Sequence, residues 1–162
     1  MRLSRAAALI GVAVPLALFP SGAAQAADDA SVSVLHGIPD LTVDVYVDGD
    51  LTLDDFKPGD LAGPLQLPAD TYSVSITDKD DKKTVLLGPA DVAVEAGGSY
   101  TIVAHLDADG EPTVTPFAND ISAVAAGEAR VTVRHTAAAP EVDIEAGGDV
   151  LAPGLVNGDE AV

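Results

Sequence analysis

From Ser31 onward the apolar residues of this chain recur at every second position, the side-chain period of a β-strand and not of a helix. The stretch "SVSVLH" sets Val32 and Val34 on one face, "TVDVYVDGD" sets Val43, Val45 and Val47, and "TYSVSIT" sets Tyr72, Val74 and Ile76. Such alternation requires one buried and one wet face, so the strands must pair into sheets and the sheets must cover one another. Residues that favour turns separate the runs: Asp48-Gly49, Pro58-Gly59, Pro68-Ala69-Asp70, Gly88-Pro89, Gly97-Gly98 and Asp109-Gly110. The pattern predicts strands near 31–36, 42–47, 51–56, 64–67, 71–77, 84–87, 91–94, 99–106 and 112–117. Many short strands at even spacing predict an all-β fold, an antiparallel sandwich of immunoglobulin-like or transthyretin-like type.

"LPADTYSVSI" and "EAGGSYTIVA" each place a tight turn before a tyrosine that enters a strand. Tyr72 and Tyr100 can therefore send their hydroxyls back to nearby backbone, as in a tyrosine corner, or simply fill core space. Both readings are structural.

The chain also repeats itself. A shift of 99 residues aligns Val32 with Val131, Val34 with Val133, His36 with His135, Val43 with Val142 and Asp44 with Asp143. The same shift, without a gap, aligns Gly49 with Gly148, Asp50 with Asp149, Gly59 with Gly158 and Asp60 with Asp159. Valines alone could coincide; the His, Asp and Gly-Asp positions together predict a tandem duplication. Residues 30–118 are then a complete β domain, 119–129 a linker, and 130–162 an incomplete second copy. A segment of that size cannot bury enough apolar surface to form a domain of its own. Docking on the first domain or disorder is expected for it, with rapid proteolytic loss after the linker.

At these residues the chain resembles the DUF4397 family of exported bacterial proteins. The resemblance rests on "VSVLHGIPDLTVDVYVDGD", in which a strand ends in His and a Pro-bearing loop leads to a "VDVYVDG" strand and turn, followed by "LPADTYSVSI" and "GGSYTIVAHL". It returns in weaker form in "RHTAAAPEVDIEAGGD", which keeps His135, Pro140, Asp143 and Gly148 but has Glu145 where the family has tyrosine. The resemblance implies an exported β domain, often in tandem, and no particular chemistry.

The first 26 residues have the anatomy of a secretory signal peptide: Arg2 and Arg5, an apolar run from Ala6 to Phe19, and small residues up to a cleavage site between Ala26 and Ala27. Pro15 interrupts that run, which is short for a membrane span, and no other apolar stretch of spanning length follows. The expected destination is the extracellular space or the cell wall, with no membrane insertion once the signal is removed. Cleavage would also take two arginines from a chain whose formal net charge is already −18. Nucleic acid and anionic membranes are bound through clustered Lys and Arg, so neither is an expected partner. The chain contains no Cys, so no disulfide can support the fold.

Three histidines are the obvious candidates for chemistry. His36 and His135 occupy matching positions at a strand end and are read as closing the edge of a core; Asp44 is read as structural with them. If His36 is buried and bonded, its replacement by alanine should cost about 1 to 3 kcal/mol. His105 alternates with Val103 and Thr101 along a strand and is read as packed or exposed. No Gly-x-Ser-x-Gly elbow is present, and Ser99 belongs to the "GGSY" turn, so no catalytic residue is assigned and an enzyme is not expected. Acidic loops at "VDGDLTLDD", "TDKDDKK" and "LDADGE" raise calcium as the one cofactor worth weighing, yet none has the EF-hand spacing, and no metal ligand is assigned. The leading reading is a non-enzymatic exported module of interaction or structure, with an unknown extracellular or cell-wall partner. The alternative is a secreted binder of a small molecule or carbohydrate through the loop "HGIPDL", where His36, Pro39 and Asp40 are the contact candidates.

Overall fold

The computed structural model describes residues 28–162, so the expected signal peptide and the expected cleavage site at Ala26–Ala27 lie outside the described residues. Twelve strands and no helix make up that region: β1 (Ala30–His36), β2 (Val43–Val47), β3 (Asp50–Phe56), β4 (Leu61–Leu67), β5 (Asp70–Asp78), β6 (Asp81–Val94), β7 (Ser99–Leu106), β8 (Pro112–Ala118), β9 (Val133–Arg134), β10 (Val142–Ala146), β11 (Asp149–Leu155) and β12 (Glu160–Ala161). The first eight form two four-stranded sheets in the orders β4-β1-β7-β8 and β3-β2-β5-β6. Between them lies one apolar core, with Val32, Ile102 and Ala104 from the first sheet and Val43, Val45, Val74, Ile76 and Val92 from the second. This is the β-sandwich that the period-two pattern predicts.

The hairpin turns follow from their residues. Val47 pairs with Asp50, leaving Asp48 and Gly49 as a two-residue loop with φ of 51° and 87°. Positive φ at both central residues defines the type I′ turn that matches strand twist, and Asp-Gly is among the pairs that best tolerate it. Both tyrosine hydroxyls reach backbone, Tyr72 donating to the Pro68 carbonyl (2.9 Å) and Tyr100 accepting from the Glu95 N–H (3.1 Å). Burial and the nearby carboxylates of Asp70, Asp48 and Asp29 together raise the Tyr72 phenol above its ordinary pKa.

Two expectations need correction. Gly88-Pro89 is not a turn between two strands: β6 runs through it as one strand of 14 residues, with register shifts against β5 between Val74 and Asp78. β6 is a sheet edge, where a proline leaves no ladder bond unmade, and the same holds for Pro64 within edge strand β4. Nor is every pair antiparallel. β1 runs parallel to β7, with Val32 opposite Tyr100 and His36 opposite Ala104, while β4 flanks it antiparallel on the other side.

After β8 the chain has no strand until β9, and the segment 121–129 is exposed throughout. Arg130 closes this loop by donating to the Asp120 and Ser122 carbonyls (3.1 and 2.9 Å) and pairing with the Asp120 carboxylate (3.1 Å). Hydrogen bonds from Ser122, with the Arg130 charge, hold the Asp120 carboxyl below its usual pKa. Residues 133–161 then form two small two-stranded sheets, β10-β11 and β9-β12. They rest on the first eight strands through the Arg134 guanidinium, 4.6 Å from the centre of the Phe117 ring, and through Asn157, which donates to the Leu106 carbonyl (3.0 Å). With its backbone exposed and outside any ladder, the loop 121–129 is expected to be the first site cut by elastase, leaving the first eight strands intact; mass spectrometry of a digestion time course checks this.

Candidate functional site

β1 delivers His36 to the mouth of the sandwich, and the loop to β2 folds back over it. The imidazole is fully buried. The Ile38 N–H donates to its Nδ1 (3.3 Å), so the ring proton sits on Nε2, which donates to the Leu41 carbonyl (2.7 Å). Its ring stacks on Phe56 with centroids 5.6 Å apart and planes 22° apart. Main-chain bonds from His36 N–H to the Asp60 carbonyl (3.0 Å) and from Gly59 N–H to the His36 carbonyl (2.8 Å) tie the same residue to the β3–β4 turn. Of the three contact candidates, His36 is thus unable to meet a ligand, whereas Pro39 and Asp40 stand exposed on the loop it anchors.

Asp44 lies on the outward face of β2 and is nonetheless only 2% exposed. Its Oδ1 accepts the Asp55 N–H (3.0 Å) and its Oδ2 the Asp80 N–H (3.1 Å). Both donors have left-handed backbone, with φ of 52° and 61°, so one carboxylate fixes the bulge of β3 and the turn between β5 and β6. His105, also fully buried, donates from Nδ1 to the Leu106 carbonyl (2.9 Å) and accepts at Nε2 from the Thr115 hydroxyl (2.8 Å).

Residues 133–161 repeat part of these contacts at the 99-residue offset. β10 and β11 have the bounds of β2 and β3 moved by that offset, and Gly147 and Gly148 take the positive φ angles of Asp48 and Gly49. His135 donates to the Pro140 carbonyl (3.0 Å) as His36 does to Leu41, and its backbone pairs with Asp159 and Gly158 as that of His36 pairs with Asp60 and Gly59. Asp143 Oδ1 accepts the N–H of left-handed Gly154 (2.8 Å), the position of Asp55.

The two loops meet. Gly37, Pro39 and Leu106 face Thr136, Ala137 and Ala138 across an open cleft of about 240 Å³, and Asn157 bridges its base by donating to Leu106 and Ala137 carbonyls. No sequence signal marks this cleft, since it exists only where the second loop docks beside the first. A wholly apolar cavity between the sheets, lined among others by Val34, Val47, Leu65 and Val94, is smaller, at about 40 Å³.

Several carboxylates of the acidic loops bond to the loops' own main chain or to a lysine. Asp44, Asp54 and Asp55 bring carboxylate oxygens within 4.8 Å of one another, but the main chain takes both Asp44 oxygens and Lys79 pairs with Asp55. Hydrogen bonding to Asp55 and Asp80 raises the Lys79 pKa and keeps the ammonium charged there. In the "LDADGE" loop, Asp107 Oδ1 accepts the N–H groups of Asp109 and Glu111 (2.9 Å each), closing the turn with an oxygen that calcium would need. Millimolar calcium is accordingly expected to shift the melting temperature by less than about 1 °C in a thermal scan.

Among the described residues no helix is long and apolar enough to cross a membrane. No curated protein matches the chain. The model of DUF4397, a domain of unknown function, matches residues 30–145, beginning with β1 and continuing through residues 119–129 into β10. That match covers His36 and His135, the Pro-bearing loops after them and the hairpin of β2 and β3, and the chain belongs to the DUF4397 family.

Proposed function

We propose that this chain is an exported, non-enzymatic β module of the cell envelope or extracellular space, built by duplication, which acts through the loops that follow its two matching histidines. One observation carries the reading: a ring nitrogen of each of the three histidines is engaged by a hydrogen bond within the fold. His36 and His135 bind the backbone of the loop that each begins, and His105 binds Leu106 and Thr115. A general base must be within reach of a substrate proton, and buried rings bonded in this way are not. Rigid strands carrying an exposed loop are the usual arrangement for recognition. Pro39, Asp40 and Thr136–Ala138 form the outward surface.

Export predicts that N-terminal sequencing of the protein recovered from culture medium reads from Ala27; intact Met1 there would refute the signal-peptide reading. For the loops, the exported chain is expected to sediment with the cell-wall fraction of its producer. Replacing Pro39 by alanine and Asp40 by glycine, which accepts its φ of 57°, should release it without lowering the melting temperature by more than about 5 °C, because both are exposed. Retention of the double variant would sink the loop assignment.

The 240 Å³ cleft favours a second reading, a binder of a small molecule or carbohydrate. Titration with simple sugars would then move the amide resonances of Gly37 and Thr136–Ala138 together, and no others.

A further inference from the structure

β6 meets β8 along one flank of the sandwich, which leaves β3 and β4 facing each other along the other. The apolar cavity between the sheets runs toward that second flank. Its inner wall is buried valine, Val32 from one sheet and Val45, Val74, Val92 and Val94 from the other, while Leu53, Leu65 and Leu67 on the flank side are only half-buried. Valine is short, and sheets packed about 10 Å apart leave space between facing valines that longer side chains would fill. Nearer the loop after β1, the stacked rings of His36 and Phe56 fill it. Among the described residues no polar atom faces the cavity: the Thr52 hydroxyl donates to the Asp50 carbonyl (3.2 Å) and the Tyr72 hydroxyl to the Pro68 carbonyl (2.9 Å), so both turn carbon toward it. Such a space stays dry and takes apolar ligands. An apolar cavity of about 150 Å³ holds a benzene ring, so one of about 40 Å³ admits a single chain and no ring system.

The mouth, by contrast, is acidic. The turns that end this flank, β2–β3 and β4–β5, bring exposed Asp48 and Asp70 beside Tyr72, Asp48 accepting the Ser73 N–H (2.9 Å) and Asp70 the Thr71 N–H (2.7 Å). After burial, it is the charges of Asp70, Asp48 and Asp29 that raise the Tyr72 phenol, so a negative field reaches the rim of the cavity. Lys82 does not cancel it there, since its ammonium lies on the outer face of the sheet, over the Tyr46 ring (4.5 Å), and donates to the Gly49 carbonyl (2.8 Å). A cationic group is attracted to this mouth and a carboxylate repelled.

We propose that the space between the sheets is a binding site for the alkyl chain of a small amphiphile with a cationic head, the chain entering between β3 and β4 and the head resting among the carboxylates at the mouth. All of the lining lies between Val32 and Ile102, so the site is built within the first seven strands. It is separate from the loops after the histidines and does not depend on their role.

The test follows methyl resonances of the chain recovered from culture medium, with xenon and dodecyltrimethylammonium as probes, the second kept below its critical micelle concentration. Xenon is uncharged and reports the space alone, so the methyls of Val32, Val45, Val92 and Ile102 should shift. Dodecyltrimethylammonium should shift the same methyls, saturate at one per chain and displace the xenon. Dodecanoate should bind about tenfold more weakly. Replacing Asp48 and Asp70 together by asparagine, whose carbonyl oxygen still takes the Ser73 and Thr71 N–H groups, should cut that preference to about threefold or less and leave the xenon response unchanged. Lining methyls that ignore xenon would overturn the proposal. So would ammonium binding that does not saturate and touches exposed residues alone, which is adsorption on an acidic surface, and so would equal affinity for dodecanoate. Shifts of the Thr136–Ala138 methyls in place of the lining would move the ligand to the other cleft, upholding the small-molecule reading there and removing this one.

Discussion

Asp44→Ala is expected to lower the melting temperature of the first eight strands by about 15 to 30 °C, the largest effect of any single polar replacement in the fold. The carboxylate is buried and accepts two main-chain N–H groups from segments distant in sequence, Asp55 in the β3 bulge and Asp80 in the β5–β6 turn. Removing it strands both donors, and charge-assisted bonds of this kind are worth about 1.5 to 3 kcal/mol each, so the loss is about 3 to 6 kcal/mol. That is a large share of the 5 to 15 kcal/mol by which a typical domain is stable. Asp44→Asn separates charge from shape: one amide oxygen can serve one donor, but its NH₂ would face the other, so it should recover no more than half of the loss. The internal control is Asp143→Ala, where a single bond on an exposed side chain is broken, and a shift of about 5 °C or less is expected. Differential scanning calorimetry of the three variants checks the ranking; equal effects at Asp44 and Asp143 would contradict it.

His36→Ala comes next, at about 2 to 4 kcal/mol, the upper part of the range set by its burial and beyond it. Alanine leaves a cavity against Phe56 and strips the Leu41 carbonyl and Ile38 N–H of their partners at once. His36→Phe refills the volume without restoring either bond, so it should recover about half of the loss. His135→Ala, whose ring makes one such bond, to Pro140, should cost less. Chemical denaturation read at equilibrium distinguishes these outcomes, and an unchanged midpoint for His36→Ala would mean that the imidazole holds nothing.

The alternation of valines was sufficient to read the strands and which of their faces is buried, because one-sided burial imposes it directly. Asp48-Gly49 was sufficient to read a hairpin, since few residue pairs accept two positive φ angles. Other features depend on partners that the local sequence does not name. Gly88-Pro89 has the composition of a turn, and only the edge position of β6 allows it to remain inside a strand. The parallel pairing of β1 with β7 joins residues far apart in the chain, and nothing in "SVSVLH" distinguishes it from an antiparallel pair. Asp44 looked like a wet-face residue within an apolar run. Its recurrence as Asp143 in "VDIEA" was the one available sign that its position mattered. The structural part played by His36 was legible from its own recurrence. The cleft beside it was not, because Thr136–Ala138 reach it only by docking.

The parallel register of β1 on β7 has a mechanical consequence. Val32 lies beside Tyr100, and Tyr100 beside Ala118 on β8, so the chain enters the sandwich and leaves it at the same end of one sheet. The loop after His36 is at the other end, roughly 20 Å away along seven residues of strand. A unit tethered in this way hangs to the side of its polypeptide like a pendant. Tension between residues 30 and 118 would peel the end of the sheet one rung at a time, without shearing all the rungs together, so the unit is a weak link under load. The same geometry holds the loop after His36 at the end of the sandwich opposite Ala30, where residues that come after β8 fold back to meet it.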